Sequence, residues 1–166
     1  MSAHRFDPYA ILQELDSTGV SFVVIGALAR VIQGSDELTH GLDLTPSLRP
    51  ENLRRLGQAL EGLHARRIDG KPLELDALDP EQEPVLALDS DAGEIKIVPE
   101  PAGTHGYEDL RHRANREPLG QGLRPSVASP GDLVRMLEAL GREPDPLVLE
   151  TMRRVLELER RLTIER

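Results

Sequence analysis

One stretch near the amino terminus carries the clearest pattern of hydrophobic positions. Four apolar residues, Phe22–Ile25, have the length and the β-branched content typical of a buried strand. The run stops at Gly26, where a sharp turn is expected. Apolar residues at helical spacing then predict a short helix over residues 27–33, and Gly34 follows where a left-handed residue commonly ends a helix.

A second strand is predicted over Gly41–Leu44, beside the first strand and after a polar loop. Side chains alternate along a strand, so Asp43 is expected on the face opposite Leu42 and Leu44. The pattern therefore places a carboxylate on one face of a strand whose other face is apolar.

Helical patterns flank this unit. One helix is predicted to begin at Asp7, a suitable cap that is followed by proline, and another at Pro50, with leucines at helical spacing behind it. Residues 66–84 show no clear periodicity, and we expect a loop there with one short strand over residues 73–75.

Two strands joined by a polar turn are predicted over residues 85–88 and 94–98. Alternation along the second strand sends Glu94 and Lys96 to one face and the two isoleucines to the other. A short helix is expected over residues 107–114.

The end of the chain adds a last strand over residues 123–128 and two helices, capped by Ser129 and Asp145. Together these elements predict an α/β (α+β) fold, with a mixed β-sheet flanked by helices and a helical carboxy-terminal part. We expect a single domain, with a core over residues 1–128 and helices over residues 129–166 packed on that core.

Composition narrows the function classes. The 166 residues include no cysteine, which excludes disulfides and thiolate metal sites. No apolar stretch approaches the ~20 residues of a membrane span, and no signal-peptide pattern is present, so we expect a soluble cytoplasmic protein with no membrane partner. A net charge of −9 opposes non-specific binding to nucleic acid, and an RNA substrate would need a local basic patch.

Short motifs recur along the chain in a defined order. They read Gly26-Ala27, Gly34-Ser35, Thr39, Gly41-Leu42-Asp43, Pro50-Glu51-Asn52-Leu53, Val98 to Thr104 with Gly106-Tyr107, and Val127 to Met136. This set resembles the nucleotidyltransferase fold of the DNA polymerase beta superfamily, and most closely the nucleotidyltransferase-like toxins of bacterial toxin–antitoxin pairs. The resemblance covers nearly the whole chain and implies that a nucleoside triphosphate (NTP) is the ligand.

The sequence departs from the family pattern at the acidic positions. In such enzymes two aspartates on one strand and a third on a neighbouring strand hold Mg²⁺ ions that bridge the triphosphate. Here the first position is Gly41 and the third is Lys96, and Leu137 replaces a lysine often found in the family. Asp43 alone stands where the motif expects an acid. The resemblance thus implies an incomplete metal-binding set with Asp43 as the remaining Mg²⁺ ligand.

Two hypotheses follow for the chemistry of this site. One is that Lys96 pairs with Asp43 and substitutes for the metal cation, so that metal-dependent catalysis is weakened or absent. The other is that Glu94 supplies the missing acid while Lys96 contacts phosphate. The second hypothesis requires a register shift of two residues, about 6–7 Å along a strand.

Other residues of the motif are candidates for nucleotide binding. Gly26 and Ala27 either cradle phosphates on backbone N–H groups at the helix start or only form the strand-to-helix turn. Ser35 either binds a phosphate or hydrogen-bonds the local backbone. Arg30 either reaches a phosphate or lies on a solvated face of the helix.

The loop before the second strand contains further polar residues. Thr39 is either the residue that starts the strand or, as in related toxins, a hydroxyl that the cognate antitoxin modifies. Asp36 and Glu37 are predicted to be solvated turn residues. His40 has no partner at ligand spacing, so we expect it to be neither a metal ligand nor a base.

Two function classes remain open. The resemblance implies an enzyme that transfers a nucleotide from an NTP to an RNA end, transfer RNA (tRNA) in particular, under the control of an antitoxin. The alternative is a catalytically inactive pseudoenzyme that keeps the fold and binds a nucleotide, an RNA or a protein. The acidic charge, Gly41 and Lys96 favour the alternative.

Overall fold

A computed structural model describes residues 5–76, 78–141 and 146–164 of the chain. Its strands are β1 (Phe22–Ile25), β2 (Gly41–Pro46), β3 (Arg66–Arg67), β4 (Leu86–Asp89), β5 (Glu94–Ile97), β6 (Asn115–Arg116) and β7 (Ser126–Val127). The helices are α1 (Pro8–Ser17), α2 (Gly26–Ile32), α3 (Pro50–Gly62), α4 (Tyr107–Leu110), α5 (Pro130–Leu140) and α6 (Pro146–Ile164).

The seven strands form one mixed sheet in the order β3-β4-β5-β2-β1-β7-β6. Strand β2 lies at its centre, antiparallel to β1 and parallel to β5. Strand β1 pairs in parallel with β7 on its other side. The acid-bearing strand predicted from the sequence is therefore held between two neighbours, and its backbone is fixed along both edges.

Alternation along the central strands separates an apolar core from a polar face. Leu42, Leu44, Ile95 and Ile97 are fully buried, whereas Asp43 between the first two is only partly covered. Helix α1 packs against α3, α2 packs against α5, and α5 packs against α6. The predicted fold class is confirmed, since a mixed sheet is flanked by helices and followed by a helical carboxy-terminal part.

Helix ends follow the predicted capping chemistry. The side chain of Asp7 accepts a hydrogen bond from the backbone N–H of Ala10, and Ser129 accepts one from the N–H of Asp132. Gly141 ends α5 in the left-handed conformation. The predicted cap Asp145 lies outside the described residues. No helix in the described ranges has the length and apolarity needed to cross a membrane.

Several boundaries differ from the sequence-based expectation. The helix expected over residues 107–114 ends at Leu110, and the strand expected over residues 123–128 spans only Ser126–Val127. No strand forms over residues 73–75; Leu75 instead packs into the core from an irregular segment. The short strand of this region is β3, where Arg66 and Arg67 pair with the end of β4. Two exposed or half-buried arginines have no alternating pattern, so their pairing depends on the neighbouring strand and not on their own sequence.

Candidate functional site

Asp43 lies at the centre of the sheet, directly beside the turn that links β1 to α2. Ile25, the last residue of β1, is the register partner of Asp43. Gly26 has a positive φ of 71°, and a Cβ built on it would overlap the Oδ2 atom of Asp43. Glycine is therefore required at this turn both for its backbone conformation and for the space that the carboxylate occupies.

The surroundings of Asp43 favour the neutral form of its carboxyl group over the charged form. Burial raises the pKa of Asp43, the positive charges of Lys96 and Arg30 lower it, and the negative charge of Glu94 raises it; the net shift is upward. No described residue donates a hydrogen bond to the Asp43 side chain. A half-buried carboxylate without a partner is a group that a ligand can engage.

Strand β5 brings the other two predicted site residues to the same face. In the parallel register, Glu94 lies beside Gly41 and Lys96 lies beside Asp43. Lys96 Nζ lies 3.8 Å from a carboxylate oxygen of Glu94, and this is its ion pair among the described residues. The expected close Asp43–Lys96 pair is not formed, because Lys96 extends toward solvent while Asp43 lies under the glycine turn.

Gly41, which the resemblance aligns with the first acid of the motif, lies against the backbone of β5. A Cβ built at Gly41 would lie 2.8 Å from the carbonyl oxygen of Glu94 and 3.1 Å from its Cβ. Contacts this short require the strand backbone to move, because a carbonyl oxygen in a sheet has no side-chain freedom. The position thus lacks a carboxylate and also has no room for one.

The residues present do not fit a metal centre of the kind that the resemblance implies. Among residues 5–76, 78–141 and 146–164, no group of three or more His, Asp or Glu side chains is arranged to hold a metal ion. Mg²⁺ is bound through carboxylates and phosphates, and here a lysine ammonium stands beside the remaining aspartate. The donor set at Asp43 therefore disagrees with a two-metal site.

Ser35 and Arg30, two of the predicted nucleotide-binding residues, converge on Glu37. The Arg30 guanidinium donates two hydrogen bonds to the Glu37 carboxylate, of 2.8 and 2.9 Å, and Ser35 Oγ donates a third, of 2.7 Å. The prediction that Glu37 is solvated is wrong, since its side chain is only 13% exposed. Of the two alternatives for Arg30, the solvated face is wrong, since that side chain is only 17% exposed. Charge pairing between the helix and the loop outweighs solvation of either group alone.

The remaining candidates lie around this pair. Ala27 is half-buried in the first turn of α2, a helix of only seven residues. Thr39 Oγ1 donates a 3.0 Å hydrogen bond to the carbonyl oxygen of Gly41, at the start of β2. Asp36 and His40 are exposed. Asp36 therefore matches its predicted solvation, and Thr39 supports the strand start.

Sequence reasoning missed the role of Glu37 at the site and a buried amide that fixes the far end of the strands carrying it. Glu37 was assigned to solvent because nothing in its local pattern shows that α2 turns Arg30 toward it. Asn52, on α3, donates to the carbonyl oxygens of Ser21 and Ser47 and accepts from the N–H of Ser21. These hydrogen bonds tie the beginning of β1 to the end of β2. The proline that precedes this part of α3 was the available signal, since it placed Asn52 in a first helical turn.

Comparison with solved structures agrees with this architecture. The lincosamide antibiotic adenylyltransferase LnuA matches with a TM-score of 0.61 and 10% identity, over 92% of this chain and 99% of that one. The antibiotic-resistance factor ANT(2'')-Ia, in complex with adenylyl-2''-tobramycin, matches with a TM-score of 0.60 and 14% identity, over 92% and 88%. The chain has the nucleotidyltransferase fold.

A third nucleotidyltransferase-fold match spans nearly the full length of both proteins. It is a protein from Thermotoga maritima assigned to the nucleotidyltransferases, with a TM-score of 0.56 and 18% identity over 98% of each chain. No protein-family model and no curated protein sequence matches this chain. Identities this low show that the fold is shared and do not show a shared activity.

Proposed function

We propose that this nucleotidyltransferase-fold protein binds a nucleoside triphosphate at the Asp43 face of its sheet without transferring the nucleotidyl group by two-metal chemistry. The observation that carries the proposal is the contact between Gly41 and the backbone of Glu94. The first metal-binding position has no room for a side chain, because the backbone of Glu94 lies directly against it. The acid is absent there, and the two strands are too close together to admit one.

The charge at the third acidic position supports the same conclusion. Lys96 lies beside Asp43 in the register and lowers its pKa through its positive charge. An ammonium group at this place supplies positive charge that a triphosphate can meet, whereas a third carboxylate would need a metal ion to bridge it to phosphate. Lys96 would therefore contact phosphate directly.

Asp43 has a different role in this proposal. Glu37 is bonded to Arg30 and Glu94 pairs with Lys96, while Asp43 has no hydrogen-bonding side-chain partner among the described residues. A partly buried carboxylate accepts strong hydrogen bonds from hydroxyl or amino groups. Asp43 would therefore orient the sugar or the base of the ligand.

The alternative function is transfer of a nucleotide from an NTP to RNA, with tRNA as the acceptor and a cognate antitoxin as regulator. One observation favours it: Glu94 acts electrostatically on Asp43 from the same face, so two carboxylates stand near one another. Against it, Glu94 is the register neighbour of Gly41 and not of Asp43. The net charge of −9 also opposes an RNA acceptor.

Binding and transfer can be measured separately on the same protein. Equilibrium dialysis with each labelled NTP, in EDTA and in Mg²⁺, is expected to give binding that survives EDTA and is weakened in Asp43→Asn. Incubation with labelled NTP, Mg²⁺ and total tRNA is expected to transfer no label. Label transfer by the wild type that is lost in both Asp43→Asn and Glu94→Gln would overturn the proposal in favour of the enzyme.

A further inference from the structure

The Glu37 carboxylate is held by an unusually complete set of donors for a loop residue. Two nitrogens of the Arg30 guanidinium donate to its two oxygens, at 2.9 Å to Oε1 and 2.8 Å to Oε2, and Ser35 Oγ donates to Oε2 at 2.7 Å. Ser35 is only 8% exposed. The carboxylate is thus bound bidentately by one cation and accepts a third hydrogen bond from a buried hydroxyl.

This donor set suits an oxyanion in general. A guanidinium fork presents two parallel N–H groups that match the oxygens of a carboxylate or a phosphate equally well, and a neighbouring hydroxyl adds a third donor. Arg30 and Ser35 do not distinguish a glutamate oxygen from a phosphate oxygen by their chemistry. In this structure the place of the anion is taken by a residue of the chain itself.

The cluster borders the Asp43 face of the sheet. Arg30 lies near enough to lower the pKa of Asp43 by its charge. Ser35 and Glu37 belong to the segment between α2 and β2, the strand on which Asp43 lies. An anion held by Arg30 and Ser35 would therefore sit at the margin of the proposed nucleotide site, where a phosphate tail is expected.

The segment that carries Glu37 can move without breaking regular secondary structure. Residues 33–40 form neither helix nor strand, and the two neighbours of Glu37, Asp36 and Leu38, are exposed, Leu38 by 86%. Moving Glu37 outward therefore uncovers no core side chain on either neighbouring position. The hydrogen bonds to Arg30 and Ser35 are the contacts that have to be exchanged.

We propose that Arg30 and Ser35 form a phosphate subsite and that Glu37 is its internal competitor, so that a phosphate group binds there only when Glu37 leaves. The inference rests on the proposed function, since the phosphate is taken to belong to the bound nucleotide. An attached competitor acts at a high effective concentration, so it weakens the apparent affinity of the subsite in proportion to how strongly the Glu37-bound state is favoured.

The test compares Glu37→Gln with wild type, using inorganic tripolyphosphate as the probe in isothermal titration calorimetry. Glu37→Gln keeps the size of the side chain and removes its charge, so tripolyphosphate is expected to bind about tenfold tighter or more. The charge-matched control is Glu51→Gln, at an exposed i,i+4 pair with Arg55, which should leave the affinity unchanged. Adding Arg30→Gln to Glu37→Gln should abolish the gain.

The outcomes separate this inference from the proposed function. If folded Glu37→Gln binds tripolyphosphate no tighter than wild type, the pair is only structural and the inference is overturned. If Glu37→Gln binds tripolyphosphate tighter than wild type but no variant binds any NTP, the phosphate subsite is supported and the proposed function fails. If wild type and Glu37→Gln bind NTP equally well and Glu37→Gln binds tripolyphosphate no tighter, the proposed function stands and the inference fails. Glu37→Asp, which shortens the reach of the carboxylate, should give a smaller gain and replaces Glu37→Gln if that variant does not fold.

Discussion

Gly41 and Glu94 are so close that no side chain fits between them: the Cβ of any other residue at position 41 would lie 2.8 Å from the carbonyl oxygen of Glu94. The two residues are register partners on the central strands β2 and β5. Placing an acid at position 41 would therefore change the spacing of the sheet as well as one side chain.

Gly41→Ala and Gly41→Asp are each expected to destabilise the protein by about 1–3 kcal/mol, because the added atoms push apart two paired strands. Urea unfolding followed by circular dichroism measures the change. Gly57→Ala is the matched control, since a Cβ there meets only Leu75, at 3.7 Å. The free energy of unfolding of that variant should be about 0.5–1 kcal/mol higher than that of wild type, because a helical glycine is replaced by alanine.

Lys96→Asp should fold like the wild type, because the Lys96 side chain is 46% exposed. The opposite result would be a Gly41→Asp variant as stable as wild type and a Gly41→Asp/Lys96→Asp double variant that binds Mg²⁺. Position 41 would then have room for a carboxylate, and the proposed steric exclusion would be wrong.

Asp43→Asn is expected to leave the protein as stable as wild type at about pH 7, or more stable by about 1 kcal/mol or less. Burial is the main cause of the raised pKa of Asp43. A raised pKa means that the stabilising contribution of the carboxyl is complete below its ordinary value of 3.8 and lost as pH rises through the folded value. Thermal unfolding at about pH 7 and about pH 3 should show the difference shrinking in acid. A large loss of stability at about pH 7 would instead mean that Asp43 is structural.

Asn52→Asp is expected to destabilise the protein by about 3 kcal/mol. The Asn52 side chain is buried, and its amide nitrogen donates to the carbonyl oxygens of Ser21 and Ser47, at 2.9 and 2.8 Å. A carboxylate there would face two acceptors and leave them unsatisfied. Chemical denaturation measures the loss. Asn115→Asp on the exposed strand β6 is the control and should change stability by about 0.5 kcal/mol at most; equal effects of the two variants would contradict the assigned contacts.

Protonation of Asp109 is expected to lower the free energy of unfolding in strong acid. The backbone N–H of His105, together with Arg113 and Arg135, holds the pKa of Asp109 at about 2, below its ordinary value of 3.8. Because the folded pKa is the lower one, the contribution is complete above 3.8 and is lost as pH falls through about 2.

The free energy of unfolding, measured by urea titration from neutral pH downward, should therefore depend less on pH in Asp109→Asn than in wild type over that window. The exposed Asp16→Asn removes one carboxylate elsewhere and serves as the control. Identical slopes in Asp109→Asn and wild type would show that the hydrogen bonds of Asp109 do not persist in solution.

The central unit of the fold could be predicted because its signals are local. Four consecutive apolar residues define β1, Gly26 ends it, and alternation around Asp43 defines β2 and the face of the acid. The order of these elements and the resemblance of their motifs were sufficient for the fold class. The short strands β3 and β6 were not predictable, since two residues each carry no period and pair only because a neighbouring strand is present.

The sequence alone also shows that Gly41 and Lys96 stand at positions where the resemblance expects acidic residues. Only the tertiary structure decided whether position 41 has room for an acidic side chain. The closeness of Gly41 to the β5 backbone, and the occupation of Arg30 and Ser35 by Glu37, depend on how separate elements approach one another. Contacts of this kind are set by packing and by charge pairing across the fold, and neither leaves a periodic pattern in the chain.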